Sequence, residues 1–388
     1  MADPRRLLVL APNWLGDAVM ALPAIDDLRR RHPGAALVVA ARRPVAQLFT
    51  MVPEVTAVVE LEWSGSVGQT PALLKDARRL RRLDADIALL LPNYFASALL
   101  VWLPGVPERW GYGRDGRSWL LTRAVSPPPV LRRDVPSRPA ARTGRSRVPP
   151  DAGGTAVPVG GWPRPVSSMG PHQGEYYQHL VRTFGAANGP LTPRIVVPDT
   201  ARAAARALLG AHGWNEGTPL VVFAPGAAYG TAKRWWPSHF AAVASALIAT
   251  RRAVVVLVGS GADAATTTEV RTGVADAARP SVIDLAGRTD LATLAGVLHL
   301  ANACVSNDSG AMHVAGAVGV PLVALFGPTN EHETAPLAHA PMTLLLHDVP
   351  CRPCMLRECP IDHPCMRDLA PSRVVETLRE TLAADVPR

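Results

Sequence analysis

The sequence predicts an α/β protein built as two doubly wound, Rossmann-like parallel-sheet domains that face a cleft. Three observations carry that expectation. At 388 residues the chain is too long for one ordinary hydrophobic core. Apolar runs of strand length alternate with helical periodicity along the chain, the pattern of a parallel sheet with crossover helices. The second half then repeats the organisation of the first. The domains are accordingly expected at residues 1–190 and 191–388.

The first half opens on a strand, LLVL at 7–10, followed by the turn APNWLGD and a helix with apolar residues at Leu22, Ile25 and Leu28. The next strands are ALVVAAR (36–42) and VTAVVEL, then a basic helix over 71–82, then the strand DIALLLPN. Residues 88–107 carry no charge, but Pro92, Asn93 and Pro104 divide them into a strand and a short helix, not a membrane span. With no secretory leader in the opening residues, a soluble, cytoplasmic protein is expected. Net charge is +8, and the segment around 126–171 holds Arg132, Arg133, Arg138, Arg142, Arg145, Arg147 and Arg164 against only Asp134 and Asp151. This Pro-rich insertion reads either as a solvated loop or as a basic arm drawn to a phosphorylated membrane surface. It lacks the interleaved aromatics of a nucleic-acid platform, so no nucleic-acid partner is expected. HQGEYYQHLVRTFGA resumes as a helix, and PRIVVPD at 193–199 reads as a linker. In the second half LVVFAPG, AVVVLVGS, SVIDLAG, ACVSND and PLVALFG are short, β-branched runs suited to strands covered on both faces.

In such sheets ligands sit beyond the carboxyl ends of the strands, and the chemistry-bearing residues follow the strands here. Asp308, Ser309 and Gly310 lie where ACVSN gives way to a helix, with His313 one turn on. A helix start offers free N–H groups to a phosphate oxygen, and the glycine permits close approach. Asp308 is the odd member: it reads either as an acceptor for sugar hydroxyls or as an N-cap. APGAAYGTAKRWW (224–236) supplies a second phosphate loop, with Gly226, Gly230 and Lys233 but without P-loop spacing. Asp263, in LVGSGAD, is a candidate ribose contact. In the first half, Asn13, Trp14 and Asp17 follow the opening strand; Asp17 reads as a general base facing an acceptor hydroxyl, or as a helix cap. Asp84-Ala85-Asp86 has the form of a metal-binding acidic pair but precedes its strand, at the wrong end of the sheet. A dinucleotide fingerprint is missing from the first turn, which disfavours a dehydrogenase. Cys304 stands alone in a strand, whereas Cys351, Cys354, Cys359 and Cys365 cluster near the C-terminus. Their spacing suits a structural zinc or iron–sulfur site, or free thiols that pack a loop.

Taken together, PNWLGDAVMALPAI, LPNYFASALL, RWGYGRDGRSWLLT, APGAAYGTAKRWWP and SNDSGAMHVAGAVGVPLVALFGPT resemble the ADP-heptose:lipopolysaccharide heptosyltransferases, glycosyltransferase family 9. LPNYFASALL and PGAAYGTAKRWWP are most similar to the subgroup that adds the second inner-core heptose, heptosyltransferase II. The resemblance implies a GT-B fold and an inverting, metal-independent transfer of L-glycero-D-manno-heptose from ADP-heptose to the first heptose of a Kdo–lipid A acceptor at the inner leaflet. By the same resemblance Asp17 is the base and Lys233 stabilises the leaving diphosphate. Gly226, Ala227, Asp263, Asp308, Ser309, Gly310 and His313 line the donor site, and Asn13, Trp14, Asn93 and Tyr94 the acceptor side. Ala227 and Ala228 offer no hydroxyl where some relatives carry threonine. Transfer at another inner-core position and a non-catalytic nucleotide-sugar-binding protein remain the alternatives.

Overall fold

The computed structural model describes residues 3–63, 69–128, 156–158 and 171–383. The first sheet is formed by β1 (Arg6–Leu10), β2 (Ala36–Arg42), β3 (Ala57–Leu61), β4 (Ile87–Leu90), β5 (Glu108–Tyr112) and β6 (Arg123–Val125). All pair in parallel, in the order β3-β2-β1-β4-β5-β6. Its helices are α1 (Leu15–Met20), α2 (Leu22–Arg31), α3 (Arg43–Phe49), α4 (Thr70–Arg81), α5 (Phe95–Trp102) and α6 (Gln173–Thr183). The helix expected after the first turn is two helices that meet at Ala21. Pro23 sits in the first turn of the second, where its missing N–H is tolerated, but it cannot continue the first.

After β7 (Ala156–Pro158) and α7 (Asp199–Gly210), the second half repeats the winding. Its strands are β8 (Leu220–Ala224), β9 (Val254–Leu257), β10 (Val282–Asp284), β11 (Ala303–Asn307), β12 (Leu322–Phe326) and β13 (Met342–Leu346). They run in the order β10-β9-β8-β11-β12-β13, all parallel, and β7 adds antiparallel at the edge of β13. Strands β8, β11 and β12 are buried along their whole length, as their uninterrupted apolar runs require. Around them lie α8 (Pro237–Arg251), α9 (Ala264–Gly273), α10 (Leu291–Leu300), α11 (Gly310–Val318), α12 (Glu331–Thr334), α13 (Pro364–Arg367) and α14 (Pro371–Ala383). The arginines of the predicted basic insertion lie outside the described residues; β7, within that insertion, is described and belongs to the second sheet, not the first. No helix among the described residues is long and apolar enough to cross a membrane.

One apolar layer on the first sheet joins Leu8 and Leu90 of its strands to Leu73 and Leu80 of α4 and Leu100 of α5. The inner layer is common to both halves: Val9, Ile25 and Leu180 belong to the same buried cluster as Val222, Met312 and Phe326. Polar ties cross the same boundary. Gln47 Nε2 donates to Asp290 Oδ2 at 2.8 Å while its Oε1 accepts from Leu291 N at 2.8 Å. The two halves are therefore joined across a packed seam.

Candidate active site

In each sheet the strand order reverses between two central strands, β1 and β4 in the first, β8 and β11 in the second. These are the two switch points at which crevices open beyond the strands. The loops that leave them carry Asn13–Asp17, Asn93 and Tyr94 on one side, and residues 225–234 and 308–310 on the other. Apart from Asp263, which follows β9, the predicted site residues thus lie at or just beyond the two switch points, although they are spread over about three hundred positions of sequence.

The helices that start there, α1 and α11, pack on one another through glycines. A β-carbon on Gly16 would lie 2.8 Å from Cδ2 of His313, and one on Gly310 would lie 2.9 Å from Cβ of Leu15. His313 is 4% exposed, and burial pushes its pKa down to about 4, with Lys233 and His172 adding to the fall and Asp308 opposing it. It is a neutral imidazole wedged between the domains at pH 7. His172 caps α6 by accepting from Gly174 N at 3.1 Å, so its other ring nitrogen donates to Ala335 O at 2.8 Å, again across the seam. Asp17 sits in the first turn of α1. Tyr177 is buried nearby, and burial reinforced by the Asp17 charge holds its phenol well above the usual range.

On the second-domain side, Lys233 Nζ lies 2.6 Å from Asp308 Oδ2, an oxygen that also accepts from Thr329 Oγ1 at 2.6 Å. Asp308 is therefore not the helix cap that its position allowed. Ser309 holds the N-cap position of α11, and its hydroxyl turns to Ser306 Oγ at 3.2 Å instead of back to the helix. No side chain caps the first N–H groups of α11, which suits them to an anion. Asn307, fully buried, fixes both ends of the phosphate loop: its Nδ2 donates to Pro225 O at 2.7 Å and its Oδ1 accepts from Trp235 N at 3.1 Å. The loop is also braced from beyond. Tyr229 Oη donates to Met355 O at 3.0 Å and Ala232 N to Arg357 O at 3.0 Å. Ala227 is buried against this framework. Asp263 is engaged in a capping turn, accepting from Ser260 N at 2.9 Å and Ser260 Oγ at 2.7 Å, with its carboxylate packed against Gly226.

On the first-domain side, Tyr94 Oη donates to Asn13 Oδ1 at 3.2 Å and Asn93 Nδ2 to Tyr176 Oη at 2.7 Å, while Trp14 is 58% exposed. The organiser of this loop is a residue that sequence reasoning did not single out. Arg117 is fully buried and donates to Tyr112 O at 2.9 Å, Ser97 Oγ at 2.7 Å, Asn93 Oδ1 at 3.4 Å and the carbonyl of Pro92.

The acidic pair set aside on sequence has a plain structural use: Asp86 Oδ2 accepts from Arg5 N at 2.7 Å and Arg6 N at 2.9 Å, fixing the start of β1. Of the two readings of the clustered cysteines, the free thiols hold and the structural metal site is not supported. All five cysteines are free thiols, and no group of three or more His, Cys, Asp or Glu among the described residues is placed to hold a metal ion. Helix α13 draws Cys365 into the core, where burial pushes its thiol up to about 11, while Cys351 stays exposed. Cys304 is buried, its thiol pushed up to about 12, the inert state its strand position predicted.

A family model, glycosyltransferase family 9 (heptosyltransferase), matches residues 73–136 and 170–364. The lipooligosaccharide heptosyltransferase 2 of Haemophilus ducreyi is 29% identical over 388 residues, covering 97% of this chain and 99% of that protein. The lipopolysaccharide heptosyltransferase 2 of Escherichia coli K12 is 28% identical over 378 residues, covering 97% and 98%. Among solved structures, E. coli ADP-heptose LPS heptosyltransferase II superposes with a TM-score of 0.74 at 28% identity, over 97% of this chain and 98% of that one. A family 9 glycosyl transferase from Veillonella parvula, 19% identical, shows the same fold with a TM-score of 0.76 over 97% of each chain.

Proposed function

Since the chain belongs to glycosyltransferase family 9 and is an enzyme of the GT-B fold, we propose that it moves L-glycero-D-manno-heptose from ADP-heptose to the first heptose of the lipopolysaccharide inner core. Residues 1–190 present the Kdo–lipid A acceptor and residues 191–388 hold the donor. The carrying observation is the opposition of two switch points, one offering the Asp17 carboxylate and the other Lys233 beside the uncapped start of α11. The full-length similarity to heptosyltransferases 2 supports the second-heptose position.

Asp17 accepts the proton of the acceptor hydroxyl. The oxygen bonds to the anomeric carbon from the side opposite ADP, the bond to the diphosphate breaks, and the configuration inverts. Charge on the departing ADP falls on Lys233 and the N–H groups at Ser309–Gly310, the electrostatic role that a metal ion fills in other transferases, so none is required. Gly226, Ala227, Asp263 and His313 shape the donor pocket, and Asn13, Trp14, Asn93 and Tyr94 the acceptor side. Peripheral contact with the inner face of the inner membrane is supported by exposed aromatics beside that side: Phe95, Trp102 and Trp119 form one cluster, with ring centroids 6.0 and 6.4 Å apart.

The test is ADP release from ADP-heptose with Kdo–lipid A that either carries or lacks the first heptose. Release is expected only with the heptose-bearing acceptor. Asp17→Asn is expected to lower turnover by at least about 100-fold with ADP affinity retained. Turnover on the bare acceptor would move the protein to another inner-core position, and an undiminished Asp17→Asn would remove the base.

A further inference from the structure

The cysteine-bearing loop is left without a task once metal binding is set aside, yet it is built onto the phosphate loop. Two hydrogen bonds join them, and any side chain at Gly230 would collide with the Arg357 carbonyl. The loop's three arginines differ in their partners. Arg352, 6% exposed, is committed to Glu331 Oε2 at 2.9 Å and to Gly327 O. Arg367 is committed to Asp362 at 3.0 Å and Asp368 at 2.7 Å. Arg357 has no carboxylate within ion-pair distance among the described residues. Its guanidinium stands 5.0 Å from the centre of the Tyr229 ring, the ring that also holds Lys233 Nζ at 4.8 Å.

The charge balance of the site makes this significant. Lys233 is already paired with a buried aspartate, so the pair brings no net charge to an arriving diphosphate. A nucleoside diphosphate carries about three negative charges near neutral pH, in line with the charge of phosphate groups generally. Arg357 shares the Tyr229 ring with Lys233 and has no carboxylate partner among the described residues, resting on an aromatic face that orients it without neutralising it.

We propose that Arg357 is a second diphosphate-binding cation of the donor site and that the cysteine-bearing loop serves to position it. The proposal rests on the reading of 225–234 as the donor phosphate loop. The guanidinium fork grips phosphate oxygens of the nucleoside diphosphate while Lys233, released in part from Asp308, meets the bond that breaks. The brace between the loops uses the backbone carbonyl of Arg357, so its side chain can be exchanged without undoing the brace.

Calorimetric titration of the full chain with ADP and with adenosine tests this. Arg357→Ala is expected to weaken ADP about 10- to 100-fold, the loss of one charge-assisted contact pair, with adenosine affinity and unliganded thermal midpoint unchanged. Arg357→Lys is expected to recover part of the loss. Equal ADP affinity in Arg357→Ala, or an equal loss for adenosine, overturns the proposal. UDP and GDP in parallel separate it from the functional reading. If the wild type prefers one of them and Arg357→Ala loses it, the proposal stands while the ADP-heptose donor falls; binding of none of the three overturns both.

Discussion

Arg117 shows what a single buried charge does for this site. Taking a guanidinium out of water is costly, and burial pushes its pKa down to about 10, which leaves it charged at neutral pH. In return it satisfies the carbonyls of Pro92 and Tyr112, the Ser97 hydroxyl and the Asn93 amide at once, and so fixes the turn from β4 into α5. Arg117→Met keeps the length of the side chain but strands those acceptors. Denaturant unfolding is expected to show a loss of about 2–4 kcal/mol, with Arg117→Lys intermediate because an ammonium cannot serve the fork geometry. In the sequence Arg117 is indistinguishable from Arg114: both lie in a Gly/Asp turn that reads as exposed loop. Asn307 was hidden in the same way, as one amide ending an apolar strand. Lys233 and residues 308–310 were legible because strands precede them, and position after a strand is readable from pattern. Which partner a side chain meets from a distant loop is not.

At the scale of elements, the same division holds. Central strands were readable because burial on both faces demands unbroken apolar runs, as in LVVFA and LVALF. Strands β5 and β6 escaped notice because ERWGY and RAV break that pattern near the sheet edge, and β13 because it follows a long irregular stretch. Helix α5 was legible as a helix, but its outer face was not. Phe95 is 39%, Trp102 44% and Trp119 67% exposed, beside the neighbouring α4 with Arg78, Arg81 and Arg82 on its solvent side. None of those three arginines is in an ion pair among the described residues. Aromatics that sit at a headgroup level next to uncommitted cations suit an anionic bilayer surface. Trp102→Ser with Trp119→Ser is expected to weaken co-sedimentation with phosphatidylglycerol-containing vesicles about tenfold or more. Undiminished sedimentation would take α5 out of any membrane contact.

For the whole molecule, the seam between the domains carries a pH dependence. The His313 pKa falls from near 6.5 in the unfolded chain to about 4 in the folded one. Between those values the unfolded chain binds a proton that the folded chain refuses, so stability is full above that window and declines as pH falls through it. The limiting slope for one such group is about 1.4 kcal/mol per pH unit. Partly buried His172, also lowered by desolvation, acts in the same direction. Urea unfolding at pH 7 and pH 5 is expected to show this loss in the wild type and a smaller one in His313→Gln; equal losses would place the acid sensitivity elsewhere. The edge pairing of β7 with β13 works on a different axis, that of time. Ala156 meets Leu345, so roughly 190 residues of synthesis separate the two partners, about ten to forty seconds at ordinary elongation rates. The six parallel strands of the first sheet are complete by Val125 and can close while the ribosome is still working. The β7 segment emerges soon afterwards and must wait, unpaired, for nearly the whole of the second half, so its edge pairing is a contact that the nascent chain can make only late in synthesis.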